Sequence, residues 1–481
     1  MGFDGFKMSG YCGFPQYRNT TKPKHLNSYL KTGKMSTVVQ EDRYAEVKAR
    51  FQQLFEAHQA QLNGQASHPY HQFRAQAMKR METLSFPTRR DEEWKYTSVN
   101  RVLQPEYQLE TPAAVDAAQL KPFLIEEMDA IRLVFINGAF REELSDIGKL
   151  PSGLTVLELA DALADARYQQ MVQQQLDSLM EGQTDPFMVL NAAFARHGLF
   201  IHVAKNTVIE KPVYLIHLAA PGDTPTFSSY LNIAIAEQSS EVSFVEGLFE
   251  LPGAEGTYFN NLVNRFRIKA NAHIHHYRLQ QEGPEGFLIS NADVEQDGDS
   301  TFSSYAIDLG GRLVRNNLAT TLNNQGTNTN FYGVYFAKSE QHIDNHTFID
   351  HAMPHGQSNE LYKGILTDKA RGVFNGKVLV RRDAQKTNAF QQNSSLVLSD
   401  KAQMDTKPQL EIFADDVRCS HGATIGQLDE TAVFYLRSRG LSDAQARAML
   451  QHAFLEEVIE FMKLEPVKDF AEELIMKKFE E

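Results

Sequence analysis

The chain has 481 residues, of which 42% are hydrophobic and 23% charged, and a net charge of -13. That length supports about two to three domains, and the acidic balance argues against nucleic acid as the main partner, since phosphate binding needs a concentrated positive surface. Cys12 and Cys419 are too few for a disulfide framework, which points to the reducing cytoplasm, and no apolar run approaches the roughly 20 residues that span a bilayer.

Residues 1–34 are rich in Gly, Lys, Tyr and Asn and nearly free of acids. No apolar segment follows their basic residues, so they do not read as a secretory signal. They are expected to be a disordered extension or a mis-assigned start, with natural translation beginning at Met35. A mostly helical domain is then expected over 35–195. Tyr44, Val47, Phe51, Leu54 and Phe55 recur at three- and four-residue spacing and predict one helix; a second is expected over 71–84. Pro87 ends it, and a charged run leads to the sole tryptophan, Trp94, read as an aromatic anchor in a solvated loop. Residues 131–138 read as a buried strand closed by an Asn-Gly turn. Tyr168, Met171, Val172, Leu176, Leu179 and Met180 form a further helical stripe.

Over 196–425 the texture becomes that of short strands. Leu231, Ile233 and Ile235 alternate, as do Asn264, Phe266 and Ile268, with brief turns between strands and no long helical pattern. Helix-linked parallel sheets are therefore excluded, leaving a sandwich, a barrel or a solenoid of parallel strands. Asparagines clustered at 316, 317, 323, 324, 328 and 330 favour the parallel β-helix, where side-chain amides can stack in ladders. Within this region Cys419 and His421 stand two apart beside strand-like sequence, so their side chains fall on one side. Thiolate and imidazole suit a borderline metal, but two ligands are half of the four or so required. The other reading is a buried structural cysteine beside a turn histidine.

Other motifs are weaker. His342, His346, His351 and His355, with Asp344 and Asp350, make a metal candidate only on a helix, against which Pro354 and the nearby Gly and Asn argue. His273, His275 and His276 read as surface or rung residues. Residues 372–378 lack the spacing and the Ser or Thr of a phosphate loop. The last stretch, 426–481, is expected to be a helical domain, opening on a Ser442–Gln445 capping box with Leu441 as a staple. Ala446, Leu450, Phe454, Val458 and Phe461 line one face of it, which must be buried against the chain itself or against a partner subunit.

A set of local motifs goes further. They are 86–97, Asp185-Pro186-Phe187 with Leu190-Asn191, Gly310-Gly311-Arg312 with Arg315-Asn316, and Tyr362-Lys363-Gly364. Phe374-Asn375-Gly376-Lys377, Ala384-Gln385-Lys386-Thr387, Lys407-Pro408 with Leu410-Glu411-Ile412, 419–424 and Ser438-Arg439-Gly440 complete them. On these, the chain from about Met35 to its end resembles the SufB/SufD family of iron–sulfur cluster assembly scaffolds, and the His-Gly-Ala-Thr sequence and the Trp94 motif resemble its SufD branch. The resemblance implies a mainly β fold, a right-handed parallel β-helix between helical N- and C-terminal domains. It also implies a non-catalytic scaffold in a complex with SufB and two copies of the ATPase SufC, with a homodimer open to the chain alone. The face of Ala446, Leu450, Phe454, Val458 and Phe461 becomes the expected SufC contact. His421 and the neighbouring Cys419 become the residues expected to help bind iron or a nascent Fe–S cluster at the SufB interface, with no cofactor held stably by the chain alone. The alternatives are a polysaccharide-acting β-helix enzyme and a metalloenzyme using His342 to His355.

Overall fold

The computed structural model describes residues 43–62, 65–109 and 113–480; the expectation for 1–34 lies outside them. The first two helices are α1 (Ala45–Gln59) and α2 (Pro69–Met81), close to the expected bounds. Pro69 occupies the first turn of α2, where a backbone N–H would have no helical acceptor, and the His68 ring caps the helix by accepting from Tyr70 N–H at 3.2 Å. Phe51 on α1 meets Phe194 and Phe227 at centroid distances of 6.0 and 5.5 Å, which seats the helix on the sheet. Two short helices, α3 (Asn100–Leu103) and α4 (Ala117–Leu120), flank strand β1 (Gln108–Leu109). The strand expected over 131–138 is a hairpin of β2 (Ile131–Ile136) and β3 (Ala139–Phe140). Asn137 and Gly138 carry φ of 48° and 88°, the left-handed pair that a two-residue type I′ turn needs.

Strand β4 (Leu154–Glu158) and helices α5 (Leu159–Ala164), α6 (Gln169–Met180) and α7 (Pro186–Phe194) follow. Asp185 caps α7 by accepting from Phe187 and Met188 N–H. From inside α7, Asn191 donates to the carbonyls of Tyr230 and Asn261, at 2.9 and 2.8 Å, and so ties the helix to two rungs of sheet.

From Leu199 the chain winds as a solenoid. Its strands are β5 (Leu199–Val203), β6 (Val213–Ala219), β7 (Thr226–Ala236), β8 (Glu241–Glu250), β9 (Tyr258–Ile268), β10 (His273–Gln281), β11 (Gly286–Gln296) and β12 (Thr301–Asp308). They continue as β13 (Leu313–Leu322), β14 (Asn328–Ala337), β15 (His342–His351), β16 (Gln357–Leu366), β17 (Arg371–Val380), β18 (Asn388–Val397), β19 (Gln403–Thr406), β20 (Gln409–Ile412) and β21 (Arg418–Gly426). Alternate strands fall into two sheets. One runs β19-β17-β15-β13-β11-β9-β7-β5-β4, the other β21-β18-β16-β14-β12-β10-β8-β6-β2-β3. Pairing among β5–β21 is parallel throughout, so the expected parallel β-helix is the fold, and sandwich and barrel fall away. Register is kept from rung to rung, so inward side chains form continuous rows such as Ile274, Phe302 and Thr329. The expected amide ladder is present only as separate pairs: Asn316 donates to Asn345 at 2.8 Å, and Asn317 to Asn291 at 3.0 Å.

The chain closes with α8 (Glu430–Ser438), α9 (Asp443–Ile459) and α10 (Glu465–Glu480). The Ser442–Gln445 capping box is formed. Helix α9 lies on the second sheet, whose outward tyrosines Tyr277, Tyr305 and Tyr332 stack along the rungs and end on Phe461, 4.3 Å from Tyr332 and nearly parallel to it.

Candidate functional site

Among the described strands, β21 pairs only with β18, and β19 and β20 pair only with β17. Both sheets therefore end on strands with one open edge, and such an edge is a template for another strand. Pro408 separates β19 from β20. Phe390, Ile412, Phe413 and Ile425 on these last rungs are exposed, as is nearly all of β21.

Cys419 and His421 sit on β21. Cys419 is in register with Ala389 and His421 with Gln391, so both occupy inward-facing rows at the end of the lumen, on one side as their spacing predicts. Cys419 is half-buried against the edge of the core, while His421 is exposed. Burial pushes the Cys419 thiol pKa up, with a hydrogen bond involving the Ala389 backbone acting against it. A thiol so placed is protonated at neutral pH and ligates only as a metal displaces its proton. Among the described residues, no three His, Cys, Asp or Glu side chains converge to hold a metal ion. The pair offers one thiol and one imidazole at the open end of the solenoid.

The histidines at 342, 346, 351 and 355 do not converge. They lie on strand β15 and the turn after it, not on a helix. His342 meets the Thr97 hydroxyl at 2.9 Å, and His346 lies between Asp344 at 3.0 Å and Glu93 at 3.4 Å. His351 has the opposite strand phase and meets Ser358 at 2.9 Å, and His355 is in a turn with φ 61°. The metalloenzyme alternative loses its geometry. Residues 372–378 form part of β17 and not a loop before a helix, which excludes a phosphate cradle there.

The helical face expected to dock a partner is partly taken up by the chain's own sheet. Ala446 and Val458 are buried, Phe454 packs against Lys363, whose ammonium is 4.5 Å from its ring, and Phe461 stacks on Tyr332; Leu450 is half-buried. The stripe covers the chain's own outward tyrosines because they are the nearest large apolar surface. What α8 and α9 leave exposed is Phe434, at 71%, with Tyr435 and Met449.

A polar track inside the solenoid was not anticipated. Glu246 on β8 accepts from His217 at 3.2 Å and His276 at 3.3 Å, all three buried. Burial opposes the Glu246 charge, but the two histidine hydrogen bonds outweigh it and hold the carboxyl well below the usual range. Further along, Arg278 forks onto Asp308 and also reaches Asn316. Glu360 accepts from Thr347 and Gln391, and burial still raises its pKa to about 7. The available signal was a charged residue in inward strand phase, as Glu246 stands between Phe244 and Leu248.

The chain matches two family models: the SufBD protein N-terminal region over 45–215 and the SUF system FeS cluster assembly SufBD core domain over 219–454. It is 35% identical to an iron–sulfur cluster assembly SufBD family protein of Synechocystis, covering 79% of this chain and 85% of that one. With the iron–sulfur cluster assembly protein SufD of Escherichia coli it shares 29% identity over 86% of this chain and 92% of the relative. A chloroplastic protein of Arabidopsis thaliana, ABCI7, is 28% identical over 84% and 85%. No helix among the described residues is long and apolar enough to cross a membrane.

Proposed function

The chain belongs to the SufBD family of iron–sulfur cluster assembly proteins, and we propose that it is a non-catalytic scaffold subunit of the SufD type, working in the cytoplasm. It pairs with a SufB subunit through the open end of its solenoid. Iron or a nascent cluster is the cargo, held transiently between His421 and Cys419 here and ligands of the partner. The observation that carries this reading is the unfinished last rung: two open strand edges, exposed apolar side chains and the Cys419–His421 pair share one end. A second contact, for the ATPase SufC, is made by the exposed Phe434, Tyr435 and Met449 of α8 and α9.

Co-expression of the tagged chain with SufB and SufC, followed by mass and iron determination, tests the reading. A complex that holds iron only when assembled is the expected result. A chain that purifies alone in their presence would end the scaffold reading.

A further inference from the structure

His421 is the last member of a row that crosses the lumen side of the second sheet. Phe331, Glu360, Gln391 and His421 pair in register from one rung to the next. Gln391 Nε2 donates to Glu360 at 2.7 Å, which fixes the amide with its nitrogen toward the preceding rung. Its oxygen is left over: Gln391 is 3% exposed, and Oε1 has no hydrogen-bond partner among the described residues. Buried polar atoms are rarely left so, and each one that is calls for an explanation. Space for the amide is provided by Gly376, where a Cβ would lie 2.4 Å from Gln391 Nε2. The next residue in the row is His421, one strand spacing of about 4.8 Å away.

We propose that Gln391 is a positioning residue for His421. On assembly its Oε1, which has no partner among the described residues of the chain alone, accepts the lumen-side ring N–H of His421 and leaves the opposite nitrogen, with its lone pair, directed out of the open end at the partner subunit. A ligating histidine commonly donates its other N–H to a fixed oxygen, which sets both tautomer and ring orientation. Glu360 acts one step further back by holding the amide the right way round. The inference rests on the reading of His421 as half of a shared ligand set.

The test uses the assembled complex with SufB and SufC and with 15N-labelled histidine in this chain. Solid-state 15N spectra read the His421 tautomer, assigned by its loss in His421→Ala. The expected result is one tautomer in the parent and a mixture in Gln391→Met, which keeps length and bulk but removes the acceptor. The swapped pair Glu360→Gln with Gln391→Glu keeps both the bond between rungs and an acceptor, and restores the parent spectrum. Iron retained against a chelator should weaken about tenfold in Gln391→Met and recover in the swap. An unchanged tautomer in Gln391→Met overturns the inference even where His421→Ala loses iron. Unchanged iron retention in His421→Ala overturns the half-site reading itself, and this inference with it.

Discussion

The Arg315 guanidinium lies over the Trp94 ring at 4.3 Å while its Nη1 donates to Asp344 at 2.7 Å. One side chain thus ties the loop before α3 to strands β13 and β15. The Thr97 hydroxyl donates to the same Asp344 carboxylate, and Arg315 also donates to the Glu93 carbonyl at 2.9 Å. Both members of the ion pair are almost fully buried, with side-chain exposures of 3% and 1%.

Removing one partner of a buried pair leaves the other charge unpaired, which typically costs about 3–5 kcal/mol. Arg315→Leu is therefore expected to lower the urea midpoint sharply and to shift Trp94 fluorescence in the native baseline. Arg315→Lys keeps the charge but not the planar fork, so it should fall between the two. A parent-like midpoint for Arg315→Leu would show that the loop is held by Trp94 burial alone.

The same loop marks the reach of sequence reading. Trp94 as a buried anchor was legible because a lone indole after a charged run has few other uses. The pairing of its charges was not, since Glu92 meets Lys407 and Glu93 meets His346, positions far along the chain that no local period connects. The solenoid itself was legible in its alternating strands, and the shared side of Cys419 and His421 followed from the strand period. The rows were not: they depend on rung lengths, and the turns vary enough to hide a repeat. That is why Gln391 behind His421, and Glu246 between His217 and His276, emerge only when the rungs are stacked.

Three buried histidines should each cost stability in acid above the range where most carboxylates titrate. Burial pushes the His58, His342 and His351 rings down from 6.5 to about 4, with Arg74 adding to the effect at His58. At each of these rings the unfolded chain binds more protons than the folded one between those values, so its contribution to stability rises with pH across the window. Glu250, Glu282 and Glu360, raised by burial from 4.5 to about 7, contribute in the opposite direction. The histidine contribution is complete above about pH 6.5 and is lost as pH falls through 4. The urea midpoint of His351→Asn, taken relative to the parent at each pH, should therefore be higher at pH 5 than at pH 7.5. An equal relative midpoint at both pH values would remove that ring from the account.

Strands β14 and β16 exchange glycine for tyrosine across one register. Gly333 pairs with Tyr362 and Tyr335 with Gly364, and each ring covers the opposing glycine. A Cβ on Gly364 would lie 1.9 Å from the Tyr335 ring, and one on Gly333 would lie 2.2 Å from Tyr362. Neither ring can move, because both are buried and Tyr335 is held by Asn393 and Ser395 at 3.1 and 2.8 Å. Gly364→Ala is expected to cost about 1–3 kcal/mol through overpacking, read as a lower chemical midpoint at unchanged m-value.

His421 and Cys419 should separate by role. His421 is exposed and its side chain makes no hydrogen bond among the described residues, so His421→Ala should leave the melting temperature unchanged while the assembled complex retains less iron. Cys419→Ala removes a half-buried group at the edge of the core, so a small loss of stability, on the order of 1 kcal/mol, should accompany any loss of iron. Full iron retention in both variants would remove this rung from the ligand set.

The partner face on the C-terminal helices is the remaining choice between two sides of one helix pair. A charge at Val458 or Phe454 strikes the layer between α9 and the solenoid, so either variant should unfold or loosen the helix, and lost partner binding would then say nothing about contact. Phe434 is 71% exposed, so Phe434→Asp should keep the parent melting temperature. If the ATPase docks there, the aspartate carries a charge into an apolar contact and should weaken SufC binding by about 2 kcal/mol or more, some thirtyfold in Kd, as titration calorimetry would read it. Unchanged affinity in a folded Phe434→Asp protein would move the dock off α8 and leave the open end of the solenoid as the single proposed interface.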